Sequence, residues 1–109
     1  SSMAAPYDKS DYFPLDTFAF EQVAVAGTAV GFTAATFGPS TGTPAVSAFV
    51  QCETAQLRYR IDGTNPTATV GTLLEVGDEI VVWGSMDIRS ITFIRTGGVS
   101  GQLNVHYAR

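Results

Sequence analysis

Apolar and polar side chains alternate along most of the chain, and the alternation is clearest at its centre. Leu57, Tyr59 and Ile61 interleave with Arg58, Arg60 and Asp62. A repeat of two residues puts one set on a buried face and the other in water, which predicts a strand over 56–62. Asp62-Gly63 ends it, because Gly takes a positive φ cheaply and Asp bonds its own turn. Pro66 holds Asn65 extended and forbids continuation of a ladder. Gly71 then opens Leu73-Leu74-Glu75-Val76-Gly77-Asp78, and a strand leaves as Glu79–Trp83. The centre therefore reads as strand, elaborate turn (62–78), strand.

The same pattern recurs on either side. Phe18, Phe20 and Gln22 alternate with Ala19, Glu21 and Val23 in a first strand running to Ala26, and 29–37 predicts a second with Val30, Phe32 and Ala34 on one face. Gly38-Pro39-Ser40-Thr41-Gly42-Thr43-Pro44 is a loop. Further strands are predicted over 45–53, 90–95 and 102–107. In the last, Leu103, Val105 and Tyr107 alternate with Gln102, Asn104 and His106. Met86–Arg89 has room for one helical turn. No amphipathic segment is long enough for a crossover helix, which argues against a βαβ arrangement. The expectation is an all-β domain over 17–109: an antiparallel β-sandwich, or partly closed barrel, of about seven or eight strands.

Residues 1–16 follow neither period. Pro6 and Pro14 break them, and Tyr7, Tyr12 and Phe13 are interleaved with Asp8, Lys9, Asp11 and Asp16. This is expected to be an extended N-terminal arm whose aromatic residues anchor on a partner.

Composition narrows the function classes. Hydrophobic residues make up 45% of the 109 and charged residues 15%, a low-charge, strand-prone mixture that can bury a core. A net charge of −4 with a single lysine, Lys9, argues against a nucleic-acid surface, which needs clustered cations. No segment approaches the roughly 20 apolar residues of a membrane span, and Ser1–Pro6 lacks the pattern of a signal peptide. Cys52 is alone, so it forms no intrachain disulfide, and its strand-like surroundings predict a small core residue.

The search for chemistry finds no catalytic framework. His106 is the one histidine and sits on a polar strand face, with nothing framing a nucleophile for it. Asp62, Glu75, Asp78 and Glu79 stand where turns want acids, a simpler use than a glycosidase pair. Asp62, Asn65 and Asp78 offer oxygens to calcium, but at the spacing of no calcium loop. Trp83 with Tyr59 and Tyr107 offers a stacking platform for a sugar, although both tyrosines occupy the apolar phase of their strands. No phosphate loop or dinucleotide fingerprint is present. The chain is expected to be no enzyme and to need no cofactor.

Leu57-Arg58-Tyr59-Arg60-Ile61-Asp62-Gly63-Thr64-Asn65-Pro66-Thr67, followed by Gly71, Leu73-Leu74, Gly77-Asp78, Phe93-Ile94-Arg95 and Leu103-Asn104-Val105-His106-Tyr107, resembles small structural proteins of tailed bacteriophages. The resemblance covers roughly residues 45–109. It implies a virion component assembled in the host bacterial cytoplasm, most simply a capsid decoration or cement protein that binds the major capsid protein. A head–tail connector or tail component is the alternative within that class, and a small carbohydrate-binding module the alternative outside it. A homo-oligomer, by analogy a trimer, is implied as well. The expected partner-binding residues are Tyr7, Tyr12 and Phe13 in the arm, with Arg58, Arg60 and Asn65 at the central strand and turn. For the two arginines the competing use is a solvated or cross-strand-paired face.

Overall fold

The computed structural model describes residues 15–109. Tyr7, Tyr12 and Phe13, with the other arm residues up to 14, lie outside the described residues. In chain order the elements are β1 (Thr17–Val25), β2 (Val30–Gly31), α1 (Ala34–Phe37), β3 (Ser47–Glu53), β4 (Leu57–Arg60), β5 (Thr72–Leu74), β6 (Glu79–Trp83), α2 (Ser85–Ser90), β7 (Thr92–Arg95) and β8 (Gly101–Ala108). The strands form two four-stranded antiparallel sheets, ordered β1-β8-β3-β6 and β2-β7-β4-β5. This is the expected antiparallel sandwich. The barrel alternative is excluded, because each sheet keeps two edges.

Alternation builds the core. Val23 and Val25 of β1, Ala48, Val50 and Cys52 of β3, Val82 of β6, and Leu103, Val105 and Tyr107 of β8 turn inward, meeting Leu57, Leu74 and Phe93 from the other sheet. The sheets must approach closely where β8 begins. A Cβ on Gly101 would lie 2.6 Å from the Leu57 side chain and 3.0 Å from the Ala55 carbonyl, so any larger residue would have to displace the buried Leu57. On the outer face of the first sheet, Phe20, His106, Phe49 and Val81 stand in one row across all four strands. The next row is amide-rich: Gln22 donates to Asn104 at 2.9 Å, and Asn104 donates to Glu53 at 2.9 Å.

Four expectations are corrected. Only Val30–Gly31 of the strand expected over 29–37 is strand, and Ala34–Phe37 form a helical turn. Glu21 sits in the inward phase of β1, and its carboxylate accepts both the Thr33 N–H (3.1 Å) and the Tyr107 hydroxyl hydrogen. That anchor starts the turn and drops Phe37 into the core, an arrangement available only once β1 and β8 are paired. Thr72–Leu74, read as part of the turn, form a third strand of the second sheet by pairing with Leu57–Tyr59. Ser90 belongs to α2, so β7 starts only at Thr92, and the helical turn anticipated at Met86–Arg89 lies within α2. A register shift between Thr17 and Ala19 also leaves Phe20 half exposed, where alternation alone grouped it with Phe18.

Candidate functional site

The segment from β4 to β6, the 62–78 turn with β5 inside it, is held internally. Arg58 points back along it, donating from Nε to the Ala68 carbonyl (3.2 Å) and from Nη1 to the Gly71 carbonyl (2.7 Å). The planar guanidinium suits this work because its N–H groups diverge at fixed angles. Arg60 makes a two-point pair with Asp62, at 3.0 Å and 2.5 Å. That pairing holds the Asp62 carboxyl below its ordinary range and raises Arg60. Thr67 accepts the Val70 and Thr69 main-chain N–H groups at its hydroxyl, 3.0 and 3.3 Å away, and Pro66 is buried beneath. Thr92 on β7 donates to the side-chain oxygen of Asn65 at 3.3 Å.

Gly71 is the point of closest approach. Its φ is +137°, and a Cβ there would meet the Tyr59 carbonyl at 3.0 Å and Pro66 at 3.1 Å. At the far end of the turn, Asp78 accepts the Glu75 N–H at 2.8 Å, and Gly77 donates to the Cys52 carbonyl at 2.8 Å. The main chain is thus bonded at both ends and clamped in the middle by Arg58. Pro66 and Leu74 are buried, but other apolar side chains along it face solvent. Val70 is 52% exposed and Val76 58%, with Ile61 and Leu73 exposed as well.

Two clefts meet at Tyr59 and Ile61. One, of about 530 Å³, is lined by Arg60, Asp62, Val70, Gly71 and Thr72. The other, of about 200 Å³, lies at the open side of the sandwich between β4 and β6, with Ile80, Trp83, Asp87 and Ile91 in its walls. Together they make an apolar groove with one ion pair on its rim. No protein-family model, curated protein or solved structure matches the chain.

Of the predicted site residues, Arg58 and Arg60 lie on β4 and Asn65 lies in the turn that follows. Arg58 is engaged with turn carbonyls and Asn65 with Thr92, while Arg60 and Asp62 present a paired charge to solvent. Val70 and Asp87, which line the groove, and Val76, exposed elsewhere on the turn, were not singled out from sequence. A signal existed for the two valines: each interrupts an otherwise polar or glycine-rich run, as in Thr69-Val70-Gly71 and Glu75-Val76-Gly77.

The remaining chemical candidates are dispersed. His106 stacks beside Phe20 with ring centroids 4.8 Å apart and near Phe49 at 6.4 Å. Tyr107, one third of the possible sugar platform, is wholly buried, and burial followed by the adjacent Glu21 drives its hydroxyl pKa far upward. Among the described residues, no three His, Cys, Asp or Glu side chains gather as a metal would require. No described helix is long and apolar enough to cross a membrane.

Proposed function

We propose that this chain is a non-enzymatic structural protein of a bacteriophage virion, a capsid decoration or cement protein that docks on the major capsid protein through its 62–78 turn. The observation that carries the reading is a turn whose main chain is bonded at its far end and clamped in the middle by Arg58 while Val70, Leu73 and Val76 face water. A rigid loop loses little conformational entropy on binding, and its exposed aliphatic groups gain by leaving water. Low charge suits a protein packed densely on a shell, and the resemblance over 45–109 supplies the virion context. A connector or tail position uses the same surface at a different place on the particle.

Co-sedimentation with capsids of the encoding phage, tailless and complete, tests this. Copies spread over tailless shells are expected, whereas copies found only on tailed particles move the protein to the connector or tail. Absence from both removes the virion reading. Val70→Asp and Val76→Asp are each expected to weaken binding roughly tenfold, the effect of losing one anchoring side chain. Both side chains are exposed, so folding stability should hold within about 0.5 kcal/mol.

A second reading, a small carbohydrate-binding module, draws on one observation: Trp83 is 45% exposed and shares a cleft with Tyr59. Sugars stack their apolar faces on such rings, with charged rim groups bonding the hydroxyls. Titration with neutral oligosaccharides should then shift Trp83 fluorescence and be lost in Tyr59→Ala. An unchanged spectrum across a set of hexose and N-acetylhexosamine oligomers rejects it.

A further inference from the structure

A sandwich with two sheets has four edge strands, and among the described residues three of them are blunted here. β2 is two residues long and β5 three. β1 is interrupted by its register shift, and its far end turns to the other sheet, where Arg95 donates to the Ala26 carbonyl at 3.1 Å. β6 differs. It pairs with β3 in unbroken register from Glu79 opposite Gln51 to Trp83 opposite Ser47, and its sequence, Glu-Ile-Val-Val-Trp, contains no proline, lysine or glycine.

The ladder also fixes which main-chain groups of β6 are used. Cys52 donates to the Asp78 carbonyl and Gly84 donates to the Val46 carbonyl, so the even-numbered residues Ile80 and Val82 bond β3. In an antiparallel strand the intervening residues turn their N–H and C=O the opposite way. Val81, at the centre, directs both groups outward. An apolar edge of this kind is a template for another strand.

We propose that β6 is a self-pairing edge: two copies of this chain join antiparallel about a two-fold axis at Val81, making one continuous eight-stranded sheet. The register is self-complementary. Val81 exchanges both hydrogen bonds with its own copy, Ile80 stands opposite the partner's Val82, and Glu79 opposite the partner's Trp83. No acid faces an acid. The strand's single charge is therefore offset from its copy, and no other part of β6 opposes closure electrostatically. An isologous contact of this type closes at two and exposes no further edge from β6. The pairing stands independently of the virion reading, since it needs only the edge geometry.

Sedimentation velocity of the full chain over a range of concentrations tests it. A dimer is expected at high concentration, and hydrogen exchange at the Val81 amide should quicken as the sample is diluted to monomer. Val81→Pro removes only an outward N–H, which an edge tolerates, so the monomer should keep its circular dichroism while self-association weakens by roughly tenfold or more. Val81→Lys, which sets two cations against each other at the axis, should act likewise and serves if the proline variant fails to fold. A monomer at every concentration overturns the proposal. So does a dimer undiminished in a folded Val81 variant, because its contact must then lie elsewhere.

Discussion

Cys52 shows how far one side chain is governed by its surroundings. It is wholly buried, and its thiol donates to the Ala55 carbonyl at 3.2 Å. Burial first, then the carboxylates of Asp78, Glu75 and Glu53, pushes its pKa up from 9.0 to about 11. The folded protein therefore holds this proton more tightly than the unfolded chain. The associated stability is complete below pH 9.0 and declines as the pH rises through about 11. Urea unfolding across that interval should show the decline, with a shallower slope in Cys52→Ala. Equal slopes would mean that the thiol environment is not as described. The thiolate is the reactive form, so Cys52 should also resist thiol reagents at neutral pH until the protein unfolds. The core role of Cys52 was legible in the chain, because Val46–Cys52 is a nearly continuous strand-like run. Two of the three acids around it were not, since Glu75 and Asp78 arrive from a turn more than twenty residues away.

At the scale of the element, the 62–78 turn depends on one guanidinium spanning two carbonyls. Lysine carries the same charge but cannot bond Ala68 and Gly71 in the same fixed geometry. Arg58→Lys is expected to cost roughly 1 to 2 kcal/mol and to speed hydrogen exchange in the turn while leaving β8 protected. Uniform loss of protection would show that the clamp serves the whole fold instead of the turn. Gly71 is the second dependency, for an added Cβ would have to displace the Tyr59 carbonyl from a backbone already at positive φ. Sequence reading located this turn from Asp62-Gly63, Pro66 and Gly77-Asp78, and the alternation of 57–61 placed Arg58 on the polar face. It did not foresee that the polar face would fold back on its own loop. It also passed over β5, because three residues are too few to display a period.

For the whole molecule, connectivity sets an expected rate as well as a shape. β8 lies between β1 and β3, so the end of the chain must find its beginning and its middle before the first sheet exists. Non-local pairing of this sort places refolding in the range of roughly milliseconds to seconds. Stopped-flow circular dichroism should record it there, and a microsecond phase carrying the full amplitude would contradict the sheet order. Removing 101–109 should abolish cooperative unfolding, since both remaining neighbours of β8 would face water.

The chain by itself determined the class of the fold, the alternation of β8, the core place of Cys52, the loop at 38–44 and the position of the central turn. Each follows from local alternation or from the backbone limits of Gly and Pro, which act within a few residues. Only the tertiary structure decided that Glu21 would seat Tyr107 and Thr33, turning an expected strand into α1. It alone decided that Arg58 would clamp its own turn and that β6 would stand at the end of its sheet, paired to β3 in unbroken register. Those outcomes depend on which segments become neighbours across the sheets, and a repeat of two residues carries no information about that.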